Sequence, residues 1–561
     1  MFTPLPPARW NYEAAAHLAV RAGFGQTPDE LQKWSQQGLE ATLNHLLQTP
    51  PDNGSPPDWA YPTRDDDLLQ RIRNPATTPD EKAQLQRDLN IRKAAYMADL
   101  IDWWTLRMCH SPAPFVEKMT LFWHGHFATS ADKVSAYRMW LQNETLRRYS
   151  LANFGVLVKA ISCDPAMIAW LDLGSSQKEH PNENFARELM ELFTLGEGHY
   201  TEDDVKAAAR AFTGYRVAGP AEEFRFAIPQ FDPSEKMFLG KTGPWRGDQV
   251  IDIILEQPQC AKFIAAKIWR FFAYDDPAPS LVDALAEEFR HGRYDLKSFM
   301  KIVLSSQEFF STQARNAVIK SPVQLLVQAQ KTLGVPLPGG QPLVFIYRQL
   351  GQTPFYPPNV KGWDGGKSWI NTATLAYRYE LARELVFGIL PEQVGLPKGP
   401  AANPTPTPVP AINKALSMEA SMAETAVTAL VGDPGNVRVT ASPNILQPKS
   451  PGTPVPNASV AAQKNSVPQK PISPVVPPPA PTPPPRLTVG LPIWRIVSAD
   501  DRKDSRRVVE KLSLAIFQAP PETALLEKFV QVASTKPVPV DDQAIRELAT
   551  LMMTTPNYQL C

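Results

Sequence analysis

The stretch from Pro181 to Gly214 constrains this chain more than any other. At about 100° per residue, Asn184, Arg187, Glu188 and Glu191 fall on one stripe of a helix, and Phe185, Leu189, Leu192 and Phe193 on another. Gly196 is placed to stop that helix, since glycine takes positive φ without a Cβ clash. Thr201-Glu202-Asp203-Asp204 then reads as a capping box that opens a second helix through Val205, Ala208, Ala209 and Phe212 to Gly214. The expected unit is a helical hairpin with two carboxylates, an arginine and an asparagine on one face and His199 in the loop. Two readings of that face stand: an ordinary amphipathic surface turned to water, or the lining of an internal polar pocket.

Helical patterns recur on both sides. A first helical pair is expected from Trp10 to about Leu47, with a helix start at Thr27-Pro28-Asp29-Glu30. Residues 49–64 are rich in Pro and Asp and read as a loop, and helix resumes from Asp66 to Cys109. Three segments, 152–171, 296–310 and 545–559, share an apolar helix followed by Ser/Thr and a polar position, which suggests partial duplication. Phe224 to Arg246 carries Gly, Pro and aromatic punctuation and reads as a short hairpin or irregular lid. The expected fold class is therefore mainly α: a multi-helical core with helical hairpins and few or no strands. A family core over 1–394 is followed by a Pro-rich, disordered linker over 395–491, whose Pro, Ser and Ala cannot bury enough apolar area to offset ordering. Helices over 492–561 are expected to pack back on the core.

Four long blocks carry a resemblance. They are "NENFARELMELFTLGEGHYTEDDVKAAARAFTG" (182–214), "EKMTLFWHGHFATS" (117–130), "RMWLQNETLRRYSLANF" (138–154) and "FYPPNVKGWDGGKSWINTATL" (355–375). The chain resembles the bacterial family catalogued as domain of unknown function 1800, from Ala14 to the C-terminus apart from the Pro-rich insertion. The resemblance implies a largely helical fold and no established activity. It also implies a protein partner, because relatives are often encoded beside a second uncharacterised, sulfatase-like family. Relatives usually have His-Asp before a KxxLG segment, where this chain has Phe231-Asp232 before Lys236 to Gly240. If that histidine serves relatives as ligand or acid/base, Phe231 has lost the role.

Composition narrows the classes. Lys plus Arg and Asp plus Glu both number 57, so no net charge points to nucleic acid or an anionic membrane. Cys109, Cys163, Cys260 and Cys561 have no CxxC spacing, so neither a disulfide framework nor a zinc ribbon is indicated. No apolar run reaches the roughly 20 residues of a membrane span. The N-terminus lacks a basic region followed by an apolar one, so a cytoplasmic location is expected, with export beside a partner as the alternative that some relatives' signals raise.

His124-Gly125-His126 is the leading metal-ligand candidate. In extended backbone the two imidazoles point the same way and meet one ion, whereas in a helix they point almost oppositely. With Glu188 they would make a His/carboxylate site suited to zinc, iron or manganese. In the corresponding enzyme, Glu188 or Glu191 is ligand or general base, Arg187 holds an anionic substrate group and Asn184 completes the pocket. The alternative is a non-catalytic scaffold whose polar stripe is a salt-bridge network. Gly366-Lys367-Ser368 is not a P-loop, because Lys361 stands where the first glycine is needed and no strand precedes it. Trp363 and Trp369 are expected to anchor a rigid loop that rims a pocket.

Overall fold

Many prolines outside the Pro-rich stretch open helices. Pro28, Pro79, Pro114, Pro258 and Pro322 each stand in a first turn, where the missing N–H has no helical partner to lose. Polar caps do the rest: Asn11, Thr27, Thr78, Ser135, Asp164 and Ser321 each accept a backbone N–H from the first turn that follows them. The computed structural model describes residues 2–49, 57, 65–219, 222–388 and 490–561. The described residues are mainly helical, with two small two-stranded sheets. None of their helices is long and apolar enough to cross a membrane.

The N-terminal segment forms three helices, Tyr12–Gly23, Pro28–Gln37 and Leu39–Leu46, because Gly38 at φ +93° breaks the second of the expected pair. The hairpin consists of Glu183–Glu191 and Glu202–Ala211, the latter opened by the Thr201/Asp204 capping box. Its first helix ends before Gly196. The Thr194 hydroxyl takes the Leu189 carbonyl, and the Leu195 and Gly196 N–H groups both return to Met190 O. Strand β1 (Tyr215–Ala218) then pairs antiparallel with β2 (Glu223–Phe226), with Tyr215 opposite Phe226. Strands β3 (Lys236–Phe238) and β4 (Lys241–Gly243) form a second hairpin.

Two large apolar clusters hold these elements. One joins the N-terminal helices, the 183–211 hairpin and the helices between Gly247 and Ser305. The other joins the long helix Pro79–His110, helices Pro322–Leu333 and Gly340–Leu350, and the C-terminal helices Ser505–Phe517 and Asp542–Met553. The helix Pro114–His126 belongs to both: Met119, Phe122 and Trp123 face the first cluster, and Leu121 faces the second. Every residue of that helix except Gly125 is buried. Near the C-terminus, Cys561 and Val318 exchange both backbone hydrogen bonds, at 2.8 and 3.2 Å.

The expected Pro-rich linker lies outside the described residues except for Gly490 and Leu491, as does most of the loop expected over 49–64. The Leu491 N–H bonds Val386 O at 3.0 Å, so the chain rejoins the fold beside the point where it left it.

Candidate functional site: a cationic cavity

The polar stripe of the hairpin sits at the edge of the protein. Arg187 makes a two-pronged pair with Glu202 at 2.6 and 2.7 Å and a looser contact with Glu183 at 3.4 Å. Glu191 accepts the Tyr200 hydroxyl at 2.7 Å. Asn184 is exposed and reaches Leu171 O at 3.4 Å. Glu188 is half-buried, and burial followed by the neighbouring Glu191 charge raises its carboxyl above the usual range. None of these four lines the cavity described below.

His124 and His126 fall on the last turn of a helix, not on extended backbone. Two residues apart on a helix, their rings point to different places. The His124 Nε2 accepts the Phe355 N–H at 3.0 Å, and its ring packs among Trp104, Phe355 and Trp363. Burial pushes its pKa down to about 3, so the imidazole is neutral. His126 accepts the Lys267 ammonium at Nδ1 (3.2 Å), and its Nε2–H donates to Phe193 O at 3.0 Å. Burial, then the Lys267 charge, hold its pKa well below the ordinary value. Helical geometry separates the two imidazoles of the expected ligand set of His124, His126 and Glu188, and no group of three His, Cys, Asp or Glu that could hold a metal forms among the described residues. Phe231 is likewise packed, with Phe226 at 5.3 Å and the Lys236 ammonium over its ring at 5.2 Å.

One imidazole does face open space. The end of the Pro114–His126 helix forms a wall of a cavity of ≈ 320 Å³. Other walls come from Arg21 of the first helix, Lys267 and Arg270 of Pro258–Phe272, and Ser321 and Gln324 at the start of Pro322–Leu333. The Gly-Trp loop closes it through Lys361, Trp363 and Trp369. Gly362 lets that loop dock. It takes φ +83°, and a Cβ on it would lie 2.2 Å from Gly125 O at the end of the histidine helix.

Five cationic side chains line this space (Arg21, Lys118, Lys267, Arg270 and Lys361) against the carboxylates of Asp275 and Asp364 and a negative charge at Cys561. Two of the cations are deeply placed, Arg21 at 2% exposure and Lys118 at 6%. Arg21 donates through Nη2 to the carbonyls of Ala273 and Ala314, the latter at 2.8 Å. Burial lowers its pKa, opposed by the charge and a hydrogen bond of Cys561 and then by the Asp275 charge, and by geometry its Nε and Nη1 have no other hydrogen-bond partner among the described residues. Lys118 donates to Gln324 Oε1 and lies over the rings of Phe24 and Phe271 at 4.6 and 5.6 Å. Burial, joined by the Arg21 and Lys331 charges and opposed by Cys561, pushes its ammonium down to about 7. Burial, then Arg270 and Lys361, push Lys267 down to about 8.

The chain matches the family model described as Protein of unknown function (DUF1800) over residues 17–560. It belongs to that family. Neither the curated proteins nor the solved structures give a match. Of the residues singled out in this DUF1800 chain's sequence, His126, Trp363 and Trp369 line this cavity while His124 and the hairpin stripe do not, and Arg21, Lys118, Lys267 and Lys361 were missed. The signal for them is present in hindsight. "AAAHLAVRAGFG" and "PFVEKMTLFW" each carry one Arg or Lys inside an apolar helix, and "CAKFIAAKIWRFF" carries three, and a charge turned into such a helix's apolar face needs a partner or a task.

Proposed function

We propose that this protein binds a small organic anion in the cationic cavity, its charged group held by Arg21 and Lys361 and its body lying against Trp363, Phe122 and Phe271. The observation that carries this reading is Arg21. Its guanidinium is buried, with burial lowering its pKa against the charge and hydrogen bond of Cys561, and a phosphate, sulfate or carboxylate group in the cavity it lines would add a counter-charge. Lys118 and Lys267, lowered by burial and then by neighbouring cations, would have their ammonium forms favoured by the same charge.

Thermal unfolding tests it, with inorganic phosphate, sulfate and acetate set against sodium chloride at matched ionic strength. A specific anion at a hundredfold excess over its Kd stabilises by about 2.7 kcal/mol, and Arg21→Gln removes that gain. Equal stabilisation by chloride at matched ionic strength, or an undiminished gain in Arg21→Gln, contradicts the reading.

The hairpin stripe supports a different role, that of a structural network. Arg187 is held by Glu202 across the hairpin and Glu191 by Tyr200, so the stripe ties the two helices together. The divalent-metal enzyme built on His124, His126 and Glu188 draws less support, because both imidazoles are occupied by backbone groups.

A further inference from the structure

Resting on the anion-binding reading, we infer that Lys118 is a nucleophile that forms an imine with an oxo acid or another carbonyl compound whose anionic group is held by Arg21. The geometry is that of a lysine kept from its usual solvation. Lys118 stands in the middle of a helix buried on every side, its side chain lines the cavity, and its ammonium meets a neutral amide, Gln324, and two phenyl faces, with the charge at Cys561 nearby. The carboxylate on the same helix, Glu117, is turned the other way and fully engaged by Arg107 and Arg147. Arg21 lines the same cavity, so an anion bound there would bring its carbonyl carbon beside the lysine. Desolvation and adjacent cations are the two devices that free a lysine amine at neutral pH, and both act here: the Lys118 ammonium is lowered to about 7.

The step balances without a cofactor. The neutral Nζ adds to the carbonyl carbon to give a carbinolamine, the carbonyl oxygen gathers the two protons from nitrogen, and it departs as water to leave the C=N bond. Lys267, pushed down to about 8 and lining the same cavity, is placed to carry those protons. The cavity volume of ≈ 320 Å³ suits a ligand of a few carbons with one charged group.

The experiment uses the full chain, glyoxylate as probe and cyanoborohydride as reductant at pH 7, with peptide mapping of the carboxymethyl-lysine formed. Lys118 is expected to be the principal site, modified at least tenfold faster than exposed lysines such as Lys33, and inorganic phosphate is expected to slow it. The parent protein gives the site directly, so the result does not depend on whether Lys118→Met folds. That variant, where it folds, leaves only the slow surface background. Modification spread over surface lysines with Lys118 untouched overturns the inference. If phosphate still stabilises the protein in that case, the anion pocket survives and the nucleophile alone falls. If Lys118 is modified with no protection by phosphate, the nucleophile stands and the anion reading falls.

Discussion

Glu117 and Arg187 each sit in an ion pair, one fully buried and the other with an exposed partner. The Glu117 carboxylate is 1% exposed and accepts Arg107 and Arg147 at 2.8 Å each, with Trp104 Nε1 at 3.1 Å. Those arginines overcome the burial that would raise its pKa and hold it below the ordinary carboxylate range. Removing the charge leaves Arg147, itself 3% exposed, with Glu144 as its remaining ion-pair partner. Glu117→Gln is therefore expected to cost about 3–5 kcal/mol. Arg187→Ala removes a pair whose partner Glu202 is 65% exposed, and is expected to cost no more than about 1 kcal/mol. Urea denaturation of the two variants measures both, and comparable losses would show that the hairpin stripe is more than a surface tie. The sequence showed these residues as charges but not their surroundings. Arg187 and Glu188 stood out because they sit in a dense polar stripe, whereas Glu117 and Lys118 are two charges inside an apolar run.

Among the elements, the 183–211 hairpin was legible because its signals are local: a capping box, an apolar stripe and a glycine. Its C-terminal end was not, since the Thr194 hydroxyl competes for a helical carbonyl and unwinds the last turn early. The more central helix, Pro114–His126, gives no amphipathic signal because it has no solvent face. The Gly-Trp loop was readable as a rigid rim but not as a lid docked on that helix. Gly362 is the contact on which the docking depends. Gly362→Ala places a methyl group against Gly125 O at positive φ and is expected to shift the loop, lower Tm and abolish stabilisation by phosphate. Gly351→Ala is the control: φ is +90° there, but nothing lies within 4 Å, so only backbone strain of about 1 kcal/mol applies and phosphate binding persists. If Gly362→Ala binds phosphate as the parent does, the loop is not part of the site.

At the scale of the whole molecule, the cavity lies where two apolar clusters share one helix. Its cations come from positions 21, 118, 267, 270 and 361, and its floor from Ser321 and Gln324. No local pattern joins residues so far apart in sequence, which is why the mainly helical fold and the family were readable and the site was not. The balance of 57 acidic and 57 basic side chains hid it further, since neutrality overall says nothing of a local excess. Anomalous diffraction from crystals soaked in selenate, which mimics sulfate, tests the central claim most directly. The account predicts a selenium peak inside the cavity, beside Arg21 and near Lys361. An empty cavity at saturating selenate, with peaks only on exposed lysines, would contradict it.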